Sequence, residues 1–247
     1  MSIPSSLSLV QLHSGQMQVF QSPHRFKVVC AGRRWGKSRL SISTIIRAAA
    51  KERKQRVWYV APTYQMARQI LWDDLQEVLP RKWIRKKNDT TMTIVLKNGS
   101  EIALKGADKP DTLRGVALHF VVLDEFQDMK PDTWYKVLRP TLSSTRGGAL
   151  IIGTPKGFSE FHKLWTIGQN KELQRKGQWK SWQFVTADSP FVPTAEIEAA
   201  KNDMDPKSFA QEYLASFENM SGRVYYPFDR SVHVKPLQFN PKLPVWV

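Results

Sequence analysis

The 247-residue chain reads as an α/β protein: a mostly parallel central sheet flanked by helices, with a small C-terminal helical subdomain. Three observations predict this. Short, continuous apolar runs recur at residues 26–30 (FKVVC), 57–60 (VWYV), 120–123 (FVVL) and 149–152 (ALII). Such runs suit strands buried on both faces, because crossover helices cover a parallel sheet from two sides. Helical stretches separate the runs, and around Asp188-Ser189-Pro190 the strand pattern stops and two helices follow.

Taken in order, the first run ends in a Gly-containing turn and opens a helix from Lys37 to about Arg53. The second is halted by Pro62 and precedes a helix over about 64–79. Residues 91–96 and 101–104 flank Asn98-Gly99, a strong hairpin signal. The run at 120–123 leads to a helix starting at Pro131, then to the run at 149–152, a helix over 158–167 and a further strand over 179–186. Beyond Pro190, helices are expected at 194–202 and 206–217. From Ser221 the chain carries Gly222, Pro227, Pro236, Pro241 and Pro244, and reads as an extended connector. The expected organisation is a core over 1–187, a lid and linker over 188–232, and a connector over 233–247. That connector ends in Val245-Trp246-Val247, the expected threshold of another domain.

Composition narrows the partners. No run approaches the roughly 18 apolar residues of a membrane span. Residues 1–24 hold no Lys or Arg, unlike a signal peptide. The single cysteine, Cys30, allows no internal disulfide, suits a reducing cytoplasm and reads as a small buried hydrophobe. Lys and Arg number 37 against 22 Asp and Glu, a formal charge of +15. The cations cluster at 81–87 (RKWIRKK) and 51–56 (KERKQR). Patches of this kind attract polyphosphates and release counterions on binding, which makes nucleic acid the leading partner.

Chemistry concentrates in three places. Ala31-Gly32-Arg33-Arg34-Trp35-Gly36-Lys37-Ser38 follows a strand and opens a helix, the context of a phosphate-binding loop. Gly36 permits the tight turn, the helix N-terminus adds partial positive charge, Lys37 reaches the β- and γ-phosphates, and Ser38 coordinates Mg²⁺. Ala31 stands where such loops usually begin with Gly, and Gly32 beside it supplies the flexibility. The second place is Asp124-Glu125, two acids closing a buried strand. Asp124 is expected to hold Mg²⁺ through water, and Glu125 to orient and deprotonate the attacking water. The third is Thr154 in Gly153-Thr154-Pro155, able to touch the γ-phosphate on one side and the next segment on the other. Arg33, Arg34 and Arg114 are all candidates to neutralise transition-state charge, though each taken singly also suits a solvated surface. Arg114 is expected on the loop entering the Asp-Glu strand, at a sheet edge where a neighbouring subunit docks.

These motifs form a set with GQMQVF at 15–20, YVAPTY at 59–64, LRG at 113–115, LDEFQD at 123–128 and GTPKG at 153–157. The set resembles the N-terminal ATPase domain of the large terminase subunits of tailed bacteriophages. That resemblance implies a P-loop NTPase fold of the ASCE, RecA/helicase-like type, with the Walker A loop at 31–38 and Walker B acids at 124–125. It implies an ATPase, with Mg²⁺, that translocates double-stranded DNA into a procapsid. Carried over by residue, Gln16 would read the adenine, and Ala31 to Arg39 (with Arg33, Arg34, Trp35 and Gly36) would cradle ATP. Thr154 would couple hydrolysis to movement, and Arg114 would reach a neighbour's ATP. Implied partners are a portal protein, a small terminase subunit and copies of the chain in a ring, expected to be a pentamer on the portal and a monomer when free. The setting would be the host bacterial cytoplasm, transiently the procapsid portal vertex. The family's C-terminal nuclease is expected only in a longer intact protein. Two alternatives remain: a helicase-like nucleic-acid-dependent ATPase, which needs a second RecA-like domain, and a non-hydrolysing DNA-gripping switch, which has no need of Glu125.

Overall fold

The computed structural model describes residues 10–218; the expected connector and Val245-Trp246-Val247 lie outside them. Its elements run α1 (Ser14–Gln21), β1 (Phe26–Ala31), α2 (Lys37–Lys51), β2 (Arg56–Ala61), α3 (Tyr64–Ala67), α4 (Asp73–Val78), β3 (Ile84–Asn88), β4 (Thr93–Leu96) and β5 (Glu101–Gly106). They continue as β6 (Phe120–Leu123), α5 (Arg139–Thr141), β7 (Gly148–Gly153), α6 (Glu160–Gln169), α7 (Lys171–Arg175), β8 (Trp179–Phe184), α8 (Thr194–Asp203) and α9 (Pro206–Glu212). Wider π-type turns join α3 to α4 (Arg68–Trp72) and lead into α5 (Thr133–Leu138).

The eight strands form one sheet in the order β3-β4-β5-β2-β6-β7-β1-β8. Pairs among β5, β2, β6, β7, β1 and β8 are parallel, whereas β3-β4 and β4-β5 are antiparallel. The Asn98-Gly99 turn therefore makes the expected hairpin, with Gly99 at φ 85°. Alternate residues of each central strand face opposite ways, and two cores result. Val29, Tyr59, Leu104, Val122 and Ile152 meet α2 and the α3–α4 segment on one face. Val28, Trp58, Ala103, Val121 and Ile151 meet Trp134, Leu138, Phe161 and Leu164 on the other. Among the described residues no helix is long and apolar enough to cross a membrane.

Local chemistry sets the element ends. Thr63 caps α3 by accepting a hydrogen bond from the Met66 N–H at 3.1 Å, as an N-cap threonine does. Asp205 caps α9 in the same way, with Pro206 at its first position. That last helix is shorter than the sequence pattern suggests. It ends at Glu212, because the core captures the backbone beyond it: the Tyr213 carbonyl accepts from the Thr186 N–H at 2.8 Å. The Ala215 carbonyl accepts from Gln183 Nε2 at 2.7 Å and from Cys30 Sγ at 3.5 Å. Phe217 then packs on Phe161, His162 and Trp165. Cys30 is indeed a buried free thiol.

One placement differs from the expectation for Arg114. The strand it leads to, β6, lies inside the sheet between β2 and β7, so Arg114 does not sit at a sheet edge. Its loop crosses one face instead, fastened by buried Leu113 and Leu118 against the core around Trp134 and Val137.

Candidate active site

Sheet order builds the site. Strand β7 lies between β1 and β6, so the carboxyl ends of three adjacent parallel strands present the phosphate loop, Thr154 and the Asp-Glu pair side by side. Ligands of open α/β sheets bind in the crevice outside those strand ends. Here the crevice is a cavity of about 1170 Å³. Arg33, Arg34, Gly36, Lys37, Ser38, Arg39, Glu125 and Thr154 line it, together with Phe191, Glu212 and Tyr213 from the segments that follow the sheet.

Lys37, the first residue of α2, is the hub. Its ammonium donates to Thr154 Oγ1 at 2.8 Å and to the Ala31 carbonyl at 3.4 Å, and lies 3.9 Å from Glu125 Oε1. Only 10% of its side chain is exposed, against 27% for Glu125. The preceding Gly36 adopts φ 102°, which L side chains rarely adopt, and a Cβ there would collide with the Gln16 amide. Beyond it, the first N–H groups of α2 have no intrahelical acceptors and are available to an anion.

Asp124 is buried at the end of β6. Its Oδ2 accepts from the Tyr59 hydroxyl at 2.7 Å and its Oδ1 from the Glu125 N–H at 2.9 Å. Burial and the neighbouring Glu125 charge push the Asp124 carboxyl up to about 6, against the opposing pull of Tyr59 and Lys37. Burial and the Asp124 charge push Tyr59 well above its usual value, so its hydroxyl stays protonated and donates. Glu125 takes φ 51°, a strained conformation for a residue with a side chain. Its Oε2 accepts from Gln127 Nε2 at 2.6 Å. Two adjacent carboxylates with one lysine near them are under-neutralised, which suits a divalent cation. Ser38 lines the cavity, whereas Asp124 is buried and does not; Mg²⁺, which takes one or two carboxylates plus phosphate oxygens and water, would be held by the Ser38 hydroxyl directly and by Asp124 through water.

Several expected ATP contacts stand behind the loop rather than in the cavity. Gln16 is fully buried and does not line it: its Oε1 accepts from the His13 N–H at 3.0 Å, and its Nε2 donates to the Gly36 carbonyl at 2.8 Å. His13 Nε2 lies 3.0 Å from the Trp35 carbonyl. The buried Trp35 ring stacks on Phe184 at 4.6 Å. Ala31 closes β1, and Gly32 is needed because a Cβ would stand 2.7 Å from the Tyr213 carbonyl. Helix α1 is itself held by the buried Lys27, whose Nζ donates to the Val19 carbonyl at 3.0 Å. The three arginines separate. Arg33 is ion-paired to Glu212 of α9, Arg34 (φ 60°) lines the cavity, and Arg114 does neither. Arg114 pairs with Asp111 at 2.8 Å and lines a different recess of about 370 Å³, with Lys136 and Pro140.

The structure adds participants the sequence reading did not single out. Gln127, two residues past Glu125, grips it, and Tyr59 opens the YVAPTY motif whose hydroxyl serves Asp124. Thr186 donates to the Arg33 carbonyl at 2.8 Å. Glu212 carries no local signal: only the fold brings it to Arg33.

The strand order, the phosphate loop and the Asp-Glu pair together define a P-loop NTPase of the ASCE type. The family model "Terminase large subunit, T4likevirus-type, N-terminal" matches residues 28–231. The chain belongs to the terminase large subunit family, in the N-terminal region that this model describes. It is 31% identical over 219 residues to the large terminase subunit of Escherichia phage T5, covering 87% of this chain and 49% of that one. To the large terminase subunit of Thermus phage G20c it is 32% identical over 248 residues, covering 92% and 47%. The chain thus spans about half the length of the curated relatives it matches. Among solved structures, the large terminase ATPase domain of Thermus phage P74-26 superposes with a TM-score of 0.72 at 26% identity, covering 84% of this chain and 94% of that one.

The buried Gln16 amide yields a sharp expectation. Gln16→Ala removes support from the loop, so it should weaken binding of ATP and of inorganic triphosphate by the same factor. About tenfold is expected, the size of a lost buried hydrogen bond. Calorimetry on both ligands checks this. A loss confined to ATP would instead make Gln16 an adenine contact.

Proposed function

We propose that the chain is an ATP-hydrolysing motor domain that drives double-stranded DNA into a viral procapsid. The observation that carries the reading is the Lys37–Thr154–Glu125 cluster at the carboxyl ends of three adjacent strands. Membership of the terminase family and the likeness to a domain named as an ATPase support it. The triphosphate lies along the loop and the α2 N-terminus, with Lys37 on the transferring phosphate and Arg34 beside it. Mg²⁺, when bound through Ser38 and Asp124, supplies charge neutralisation at the phosphate oxygens. Glu125, steered by Gln127, takes the proton of the attacking water. Thr154 shares Lys37 with the phosphate, so loss of the γ-phosphate changes what Lys37 holds, and Thr154 passes that change to the segment after β7. Residues 188–232 would serve as lid and linker, and the described part of that span reaches the loop through the Arg33–Glu212 pair.

The partners proposed are duplex DNA, a portal protein, a small terminase subunit and further copies of the chain in a ring. The site of action is the host bacterial cytoplasm and, transiently, the portal vertex. Any nuclease activity belongs to the part of the relatives' length that this chain does not span. Lys37→Ala should abolish nucleotide binding and turnover together. Glu125→Gln should keep binding while losing about 10²–10⁴-fold in rate, the usual worth of a general base. Turnover by Glu125→Gln at the wild-type rate would remove Glu125 from that role.

Arg114 stands apart from its own chain's cavity, which suits action on a neighbour's nucleotide. An arginine finger supplied in trans is worth about 10³–10⁵ in rate. Mixing inactive Arg114→Ala and Glu125→Gln proteins should therefore restore part of the activity, since some interfaces pair an intact Glu125 with an intact Arg114. Co-assembled mixtures that stay inactive would return Arg114 to its own subunit.

A further inference from the structure

The two basic runs are far apart in sequence, yet the fold brings them to one place. Arg53 follows the C-terminal end of α2, Arg81 and Lys82 lie in a short 3-10 turn before β3, and Lys97 enters the β4–β5 hairpin. Hydrogen bonds fasten these segments together. The Lys97 N–H donates to the Trp83 carbonyl at 2.8 Å, and Asn98 Nδ2 donates to the carbonyls of Ala49 at 2.9 Å and Glu52 at 3.1 Å. Between them lies a groove of about 610 Å³, lined by Arg53, Lys82 and Lys97 with Trp83 and Asn98 and by no carboxylate. From its rim, β3 carries exposed Arg85 and Lys86 along the outer edge of the sheet.

Ordinary structural roles account for only part of this charge. Lys51 sits in the last turn of α2, where a cation offsets the helix dipole, and it lies 3.9 Å from Glu52. Charged residues on an edge strand discourage pairing with another chain, which covers β3. Arg56 and Lys87 have acidic partners, Glu101 at 4.0 Å and Asp89 at 3.1 Å. Arg53, Arg81, Lys82, Arg85, Lys86 and Lys97 have no ion pair among the described residues. Like charges gathered from three segments repel each other, and a polyanion relieves that repulsion.

We infer that this groove and the β3 edge form the surface on which the chain holds the phosphate backbone of duplex DNA. The inference rests on the reading above that duplex DNA is the partner, and it adds the place. The place is distant from the nucleotide: α2 has 15 residues, with Lys37 at one end and the groove at the other. At a rise of about 1.5 Å per residue, roughly 22 Å separates them. One unbroken helix therefore joins the phosphate-sensing loop to the DNA surface, and loss of the groove should weaken DNA binding without changing ATP turnover in the absence of DNA.

The test uses fluorescence anisotropy of a labelled duplex over a series of salt concentrations. The variant Arg53→Ala/Lys82→Ala/Lys97→Ala is compared with Lys171→Ala/Arg175→Ala/Lys176→Ala, which removes the same charge beside β8, at the opposite edge of the sheet. The groove variant should bind about 10- to 100-fold more weakly, and its slope of log affinity against log salt should fall by about 0.9 per lost phosphate contact. The control should bind like the wild type, and both variants should keep wild-type melting temperature and basal ATP turnover. Lys82→Arg/Lys97→Arg should retain binding. A groove variant that binds like the wild type would overturn the inference while leaving the DNA reading intact. Equal losses in groove and control variants would also overturn it, as an effect of bulk charge. A wild-type chain with no affinity for duplex at low salt would defeat the DNA reading and this inference together.

Discussion

Everything in the site depends on where the Lys37 ammonium is held. It lies at the start of a helix, mostly out of water, between the Thr154 hydroxyl, the Ala31 carbonyl and the Glu125 carboxylate. A buried cation is costly without such partners. Those three partners belong to the ends of β7, β1 and β6, which the strand order, with β7 between the other two, brings together around one ammonium. Lys37 satisfies Glu125 in part, yet Asp124 next to it is still raised to about 6 by burial and by the Glu125 charge. The site thus has a cation waiting for phosphate and a pair of acids suited to a metal.

Around this hub the backbone is strained and then pinned. Arg34, Gly36 and Glu125 all take positive φ within the cavity wall. Such conformations in residues with side chains cost on the order of 1–3 kcal/mol each and persist only where the surroundings over-determine them. Helix α1 and its N-cap hold the loop through Gln16 and His13, Gln127 holds Glu125, the Phe184 carbonyl at the end of β8 holds the Gly32 N–H, and the Glu212 carbonyl at the end of α9 holds the Arg33 N–H. The loop is therefore shaped before nucleotide arrives, which lowers the ordering cost of binding.

The parallel strands were legible because burial on both faces leaves continuous apolar runs, as in β6 and β7. The phosphate loop and Asp-Glu pair were legible because their chemistry needs those residue types next to a strand end. Strand β3 was not: Ile84-Arg85-Lys86-Lys87-Asn88 sits at an edge with almost no buried face, so it carries no alternation to read. Helix α7, Lys171–Arg175, is equally silent, with no buried residue. The early stop of α9 depends on the capture of Tyr213 and Ala215 by distant groups, which no local propensity encodes. Gln16 shows the same limit at the site. The resemblance marked it as an adenine reader, whereas its engagement with the Gly36 carbonyl, and its burial, needed the fold. The position of Arg114 likewise depended on strand order, since a loop entering β6 is at an edge only if β6 is.

In the proposed function the chain turns over ATP in this cavity as part of an assembly on DNA. Steady-state phosphate release, measured over a series of protein concentrations with and without linear duplex DNA, tests it most directly. Dilute protein should release phosphate slowly, with a specific activity that rises as DNA or concentration brings chains together. ATP binding with no release above background at any concentration, with or without DNA, would contradict it.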